Sequence, residues 1–310
     1  MENEQSRIGQ ITSKAVSGVQ SAGTTVGKRM GAFFFIAIAS GVGMVAVLVL
    51  MVTLLGFGWN ELSSDFMQEG PEHVSALDCN VVALDIHGLL STYRDSTNSD
   101  GSFGTETTSG EITAYLEEAA KDSSIKAILL DIDSPGGYPQ AAREMVDALR
   151  TSGKPSVAWI RGSGDSAAYW VASAATKIVA SPQSDVGSIG VTSSYTDVSE
   201  QNKEQGITYN NLSTGVFKDT GSPDKPLTAE ERTYLEKQNK IVLEDFIREV
   251  AIYRNLTEDA VRALADGSSL LGGQAKEAGL IDILGSKKEA LATLREQIKS
   301  EPRICWPQYQ

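Results

Sequence analysis

The sequence predicts an α/β fold made of repeated βαβ units with a helical C-terminal part, preceded by one transmembrane helix. Three observations support this prediction. Residues 31–60 contain no charged side chain. Between residues 80 and 180, short apolar runs alternate with segments whose apolar residues recur at helical spacing. After residue 228, helical patterns dominate the sequence.

The first 78 residues divide into three segments by composition. Residues 1–30 are polar and lack an apolar period, which indicates a flexible tail. Residues 31–59 form the predicted transmembrane helix, because their apolar run is long enough for a bilayer, which requires about 20 apolar residues. Residues 60–78 are polar again and are interpreted as a juxtamembrane linker.

The charges on either side of the apolar run predict how the chain is oriented. Lys28 and Arg29 precede the run, whereas Glu61 and Asp65 follow it. The positive-inside rule then predicts a single-pass protein of the cell membrane, with a cytoplasmic N-terminus and an extracytoplasmic folded domain. A cleavable signal peptide is the competing interpretation, but its apolar core usually has only about 7–15 residues.

The folded domain is predicted to span residues 79–300, followed by a C-terminal tail at 301–310. Its first part alternates strands and helices, which is typical of parallel βαβ units with right-handed connections. In the last third, Thr228 and Glu231 have capping-box spacing before a long helix that ends near residue 253. The predicted strands of the first part are 80–86, 127–133, 156–160 and 177–180, and the predicted helices are 111–121, 140–151 and 166–175.

Charge and cysteine content exclude some classes of function. The formal net charge of −13 argues against nucleic acid as a partner, because such proteins carry a basic surface. The two cysteines, Cys79 and Cys305, form no CxxC motif, so a zinc site is not expected. They could pair if the domain is exported, or they could be two unrelated thiols.

Ser166 lies where a catalytic hydroxyl is expected in an open α/β sheet. It follows the predicted strand 156–160 and a glycine-containing turn, and it opens the next predicted helix. Active sites of such sheets form at the carboxyl ends of the strands, and helix N-termini offer unpaired N–H groups. The simpler interpretation is that Ser166 is an ordinary N-cap, since serine is common there.

A second glycine-bearing turn, at residues 134–137, follows the preceding predicted strand. Glycine lets backbone N–H groups approach a substrate carbonyl closely. One N–H group from this turn and one from Ala167 could together form an oxyanion hole. The same four residues also make a good structural turn without any catalytic role.

Lys218 is the candidate base, because neither His73 nor His87 is placed beside a nucleophile. An ammonium group cannot accept a proton, so Lys218 would have to be uncharged, which burial would favour. Ser188 could hydrogen-bond the neutral amine and orient it. In isolation, Lys218 is an ordinary surface lysine and Ser188 is a turn serine.

Taken in order, four motifs resemble those of the signal peptide peptidase A (SppA) family. These membrane-anchored Ser-Lys proteases have a fold related to ClpP and crotonase. The similarity covers roughly residues 79–297 and is to the short, single-repeat form of the family. The motifs are DIDSPGG at 131–137, SAAYWVASAA at 166–175, GSIGV at 187–191 and FKDTGSP at 217–223.

The resemblance implies a role for each candidate residue. Ser166 would be the nucleophile, Lys218 the general base and Ser188 a helper, with Gly136 and Ala167 as backbone oxyanion donors. It also implies a bowl-shaped homo-oligomer in which the serine and the lysine can come from neighbouring subunits.

Two positions depart from the family pattern. Ala167 and Ala168 stand where Gly-Gly usually follows the nucleophile. Asp165 stands where a small residue usually precedes it. The alanines could narrow the pocket, and the aspartate could disturb the local electrostatics.

The expected function is that of a serine endopeptidase that degrades cleaved signal peptides or other hydrophobic peptides at the extracytoplasmic face. No metal or other cofactor is expected. Two alternatives stay open. One is a crotonase-like acyl-CoA enzyme, which extracytoplasmic placement disfavours. The other is a catalytically silent scaffold or assembly protein, which the altered residues around Ser166 would suit.

Overall fold

The computed structural model describes residues 79–94 and 106–307. The predicted tail, transmembrane helix and linker, at 1–30, 31–59 and 60–78, lie outside the described residues. Within the part of the chain that the structure describes, no helix has the length and apolar character needed to cross a membrane.

The described residues form a mixed α/β sheet with helices on both faces. The order of strands along the main path of the sheet is β2-β1-β3-β4-β5-β8, and β6, β7 and β9 pair at its margins. The strands are β1 (Val81–Ser91), β2 (Glu106–Thr108), β3 (Ala127–Gly137), β4 (Ser156–Asp165), β5 (Lys177–Ala180), β6 (Asp185–Gly187), β7 (Ser269–Leu271), β8 (Ile283–Leu284) and β9 (Ile304–Cys305). The helices are α1 (Ser109–Lys121), α2 (Pro139–Thr151), α3 (Ala167–Ser173), α4 (Ser199–Glu204), α5 (Ala229–Arg254), α6 (Glu258–Arg262), α7 (Gly272–Glu277) and α8 (Lys287–Ile298).

Strands and helices alternate along the first part of the domain, and the strands pair in parallel, as the sequence predicts. Each strand pair in the described residues is parallel, apart from the antiparallel pair of β6 and β7. Three strands run further than predicted. β1 continues to Ser91, where its end pairs with β2. β3 continues to Gly137 because its end pairs with β1, and β4 continues to Asp165 because its end pairs with β6. Both turns predicted to carry chemistry therefore belong to strand ends.

Alternating residues of the central strands supply two apolar clusters, one on each face of the sheet. In β1, Val82 and Leu84 join the larger cluster, which is covered by α1, α2, α3 and α5. Val81 and Ala83 point the other way and join a smaller cluster beneath α8. The strands buried between these layers fix the positions at which their carboxyl ends emerge.

The two cysteines are joined in the structure. Cys79 lies just before β1, and Cys305 lies in β9, which pairs with β1 through Val81 and Ile304. The sequence left this pairing open because spacing does not show proximity. The sheet therefore includes residues 304–305, beyond the predicted end of the domain at residue 300.

The long C-terminal helix begins as predicted. The Thr228 side chain accepts the N–H of Glu231, and the Glu231 carboxylate accepts the N–H of Thr228, which completes a capping box. Glu231 also accepts a hydrogen bond from Lys225 at 2.6 Å. This start point matters for the site because α5 carries Leu243 to the cavity described below.

Candidate active site

Ser166 has a strained backbone at the junction of β4 and α3. Its φ is 52° and its ψ is −123°, a combination that residues other than glycine rarely adopt. The Ser166 N–H donates to the Gly187 carbonyl at 2.7 Å, which ties this residue to the end of β6. Its hydroxyl makes no capping hydrogen bond with α3. The N-cap interpretation therefore accounts for its position but not for its side chain.

The glycine turn at the end of β3 lies directly against Ser166. A Cβ placed on Gly136 would lie 2.8 Å from Ser166 Cβ and 3.0 Å from the Ala167 nitrogen. Gly136 also has a φ of +104°, which favours glycine. The structure thus brings together Gly136 and Ala167, the two residues expected to donate to an oxyanion.

The Gly136 amide is already engaged within its own turn. Its N–H donates to Ser134 Oγ at 3.0 Å, and the Ser134 hydroxyl donates to the Gly88 carbonyl at 2.6 Å. Ser134 is completely buried, so this arrangement fixes the shape of the turn. An oxyanion at this position would have to share or displace Ser134 Oγ as the acceptor of the Gly136 N–H.

Ser166 opens onto a cavity of about 410 Å³ that Ser188 also lines. The Ser188 hydroxyl donates to the Gly267 carbonyl at 2.9 Å. A hydroxyl that donates its proton in this way can still accept a hydrogen bond, for example from an amine. The remaining lining residues are Gly137, Pro139, Gly190, Val191, Thr192, Leu243, Ala265, Asp266 and Gly267.

Lys218 does not reach this cavity within one copy of the chain. Its side chain is exposed, and it is not among the residues that line the cavity. The adjacent Phe217 stacks on Tyr234 of α5, with ring centroids 4.8 Å apart. Leu243, which lines the cavity, lies nine positions after Tyr234 in α5, or about 14 Å along the helix at 1.5 Å per residue. The structure therefore brings Ser166 and Ser188 together, but not Lys218.

The carboxylate of Asp219, next to Lys218, is directed into a local network. Tyr209 Oη donates to it at 2.7 Å and Asn211 Nδ2 donates at 2.8 Å. Lys225 Nζ lies 3.9 Å from the same carboxylate. These contacts fold the segment that carries Lys218 without using the lysine itself.

Three residues depart from the family pattern, and the structure shows what surrounds each of them. Ala167 and Ala168 are buried and are not among the residues that line the cavity. The Asp165 carboxylate accepts hydrogen bonds from the hydroxyls of Ser163 and Ser269. Sequence reasoning missed Ser269, since nothing in the sequence pairs it with a residue 104 positions away.

Asp85, His87 and Asp131 form a separate cluster whose ligand atoms are close enough to share a metal ion. His87 Nε2 lies 3.3 Å from Asp131 Oδ1, and Arg161 Nη1 lies 3.6 Å from the same oxygen. The hydrogen bond to Asp131 raises the pKa of His87, although burial opposes it. Arg161 supplies the positive charge that a metal ion would otherwise bring to Asp131.

Comparisons with known proteins give a consistent picture. The model of a family described as Peptidase family S49 matches residues 148–301, a range that includes Ser166, Ser188 and Lys218. A protein of Methanocaldococcus jannaschii, named as a protease, is 36% identical over 192 residues, which are 61% of this chain and 62% of that one. The chain thus spans less than two thirds of this relative's own length.

Two bacterial relatives extend the comparison. A protein of Enterococcus faecium, named as a signal peptide peptidase SppA, is 29% identical over 78% of this chain and 69% of its own length. A protein of Synechocystis, named as a protease, is 30% identical over 59% of this chain and 67% of its own length.

Proposed function

Because the chain belongs to peptidase family S49, we propose that it is a serine endopeptidase with Ser166 as its nucleophile. The observation that carries the proposal is the backbone conformation of Ser166, whose φ is 52°. This strained residue lines a cavity that Ser188 also lines. Backbone strain of this kind persists only where the surrounding structure enforces it, and it clusters at sites of chemistry.

In the proposed reaction, the Ser166 hydroxyl oxygen attacks the carbonyl carbon of a peptide bond while the uncharged amine of Lys218 takes the hydroxyl proton. The C–N bond then breaks and the departing amine takes that proton, which leaves an acyl ester on Ser166. Water then attacks the ester carbonyl carbon while the amine of Lys218 takes a proton from the water. The bond between the carbonyl carbon and the Ser166 oxygen breaks, the serine oxygen takes that proton, and the acid is released. The N–H groups of Ala167 and Gly136 would stabilise the negative oxygen formed in each step.

The exposure of Lys218 supports a dyad that forms between two copies of the chain. The segment before the lysine exposes large apolar side chains: Leu212 is 94% exposed and Val216 is 81% exposed. Contiguous exposed apolar surface is typical of protein interfaces. A second copy that covers this segment would bury the apolar side chains. Lys218 of the first copy would then lie at the Ser166 cavity of the second copy.

The disulfide between Cys79 and Cys305 supports an extracytoplasmic position for the domain. Disulfides persist in oxidising compartments and are rare in the cytosol. Together with the apolar segment at 31–59, this favours a single-pass membrane anchor with the site outside. Hydrophobic peptides, including cleaved signal peptides, are the proposed substrates, and the name of the Enterococcus faecium relative agrees with this choice.

Mixing two inactive variants tests both the dyad and its assembly. We expect Ser166→Ala and Lys218→Ala each to lower the hydrolysis of a hydrophobic peptide by roughly 10³-fold or more. When the two variants are co-expressed and co-purified, some sites combine an intact serine with an intact lysine, and activity returns in part. Lys121→Ala is the control, because it removes an exposed lysine from the end of α1.

The possible outcomes separate the parts of the proposal. Substantial activity in purified Ser166→Ala would exclude this nucleophile, and substantial activity in Lys218→Ala would exclude this base. Two inactive variants that fail to complement each other would reject the shared site while leaving the nucleophile in place.

A further inference from the structure

The carboxylate of Asp165 is held by two serine hydroxyls from different parts of the chain. Ser163 Oγ, two residues earlier in β4, donates to Oδ2 at 2.6 Å. Ser269 Oγ, in β7, donates to Oδ1 at 2.9 Å. Hydrogen bonds to a charged acceptor are stronger than those between neutral groups. Asp165 therefore connects the end of β4 with a strand that lies 104 residues further along the chain.

This connection runs across the strand that leads to Ser188. In the sheet, Asp165 is paired with Gly187 of β6, and Gly187 is paired with Ser269 of β7. The link between Asp165 and Ser269 therefore spans three strands. The residues that follow Asp165 and Gly187 are Ser166 and Ser188, the two serines of the cavity.

The backbone at this point needs external support. Ser166 has a φ of 52° and Ser188 has a φ of 47°, and strained residues persist only when their surroundings fix them. The supporting strands β6 and β7 have only three residues each, fewer than the roughly five or six that are usual. One hydrogen bond holds each serine amide, from Ser166 to Gly187 at 2.7 Å and from Ser188 to Ser268 at 3.1 Å.

We propose that Asp165 is a positioning residue that, through Ser269, fixes Ser188 relative to Ser166. The carboxylate is not among the groups that line the cavity, so it acts through the backbone rather than on the substrate. This proposal rests on the proposed function, in which Ser166 is the nucleophile. It also gives a physical reason for the aspartate that precedes the serine, because a small side chain could not span β6.

Substitutions at both ends of the link test the proposal. We expect Asp165→Ala to lower kcat for peptide hydrolysis by up to about 100-fold, with KM little changed, because misplaced catalytic groups lose rate rather than binding. Ser269→Ala should act in the same direction, and the double variant should be no worse than Asp165→Ala alone. Asp165→Asn should recover much of the activity, because serine hydroxyls can donate to or accept from the amide.

Two controls separate positioning from a general effect of charge. Asp185→Ala removes an exposed carboxylate from β6, two residues before Gly187, and should keep the wild-type kcat. The pH profile of kcat/KM in Asp165→Asn should have the shape of the wild-type profile. A shifted profile, or an Asn variant as impaired as the Ala variant, would assign Asp165 an electrostatic role and overturn the proposal.

Hydrogen exchange provides a readout that does not depend on activity. The amides of Ser166 and Ser188 should exchange faster in Asp165→Ala and in Ser269→Ala than in the wild-type full-length protein, while the amides of α2 stay unchanged. Unchanged protection at both serines would refute the link, whatever the activity. A different result would refute only the proposed function. In that case the wild-type protein would show no hydrolysis dependent on Ser166, while the two variants would still show this loss of protection.

Discussion

Replacing Gly136 by alanine tests whether the β3 turn supports the nucleophile in the way the structure indicates. The added Cβ would lie 2.8 Å from Ser166 Cβ, 2.9 Å from the Asp165 carbonyl oxygen and 3.0 Å from the Ala167 nitrogen. Favourable contacts between carbon atoms lie at about 3.5–4.0 Å. Two of the three neighbours are backbone atoms, so a side-chain rotation cannot relieve the overlap.

The size of the effect follows from two separate costs. A φ of +104° is unfavourable for alanine, which costs about 1–3 kcal/mol. Overpacking of a tight site costs about 1–3 kcal/mol in addition. We therefore expect Gly136→Ala to lower the free energy of unfolding by about 2–6 kcal/mol. The part that the protein relieves by movement displaces Ser166 and Ala167, so activity should fall as well.

Gly153 is the matched control because it separates the backbone cost from the contact cost. It has a φ of +64°, and a Cβ at this position would meet no atom within 4 Å other than those of its own chain neighbours. Gly153→Ala should therefore lower the free energy of unfolding by only about 1–2 kcal/mol, the usual cost of a left-handed residue. It lies just beyond α2, so hydrolysis should be unaffected.

Urea unfolding followed by circular dichroism, together with peptide hydrolysis, measures both effects in the purified full-length proteins. The reasoning would be refuted if Gly136→Ala lost no more stability than Gly153→Ala and hydrolysed peptide at the wild-type rate. That result would mean that the β3 turn does not contact Ser166.

Two further predictions concern the edges of the sheet. Replacing Cys79 and Cys305 by serine should lower the free energy of unfolding by about 2–5 kcal/mol, because the bond joins residues 226 positions apart; equal urea midpoints for the two proteins would contradict this. The hydrogen bond to Asp131 raises the pKa of His87 in the folded state. Its stabilising contribution is therefore complete below the unfolded pKa of about 6.5 and is lost as the pH rises through the folded pKa. Relative to His87→Gln, the wild-type protein should lose stability as the pH rises above about 6.5, and parallel curves would contradict this.

The parts of the fold that follow from local pattern were predictable from the sequence. Apolar runs between helical periods identified four parallel strands, β1, β3, β4 and β5, because each buried strand must be apolar on both faces. The spacing of Thr228 and Glu231 identified the start of α5, since the capping box depends only on residues three apart. The position of Ser166 after a strand and before a helix was predictable for the same reason.

The parts that depend on contacts between distant residues were not predictable in this way. The strands β6 and β7 have three residues each, too short to give a periodic signal, and their pairing joins residues more than 80 positions apart. The link between Asp165 and Ser269 depends on that pairing. The separation of Lys218 from the cavity is a property of the folded chain, which the order of motifs along the sequence does not contain.

The distribution of backbone strain is the strongest argument for where the proposed chemistry takes place. In the described residues, four residues other than glycine have a positive φ: Ser166, Ser188, Asn255 and Lys299. Asn255 and Lys299 end α5 and α8 in the left-handed conformation that commonly terminates helices. No such ending explains the other two, and both of these serines line the same cavity. The strain that local structure leaves unexplained is therefore confined to one site, where two hydroxyls, an adjacent glycine turn and a carboxylate link converge.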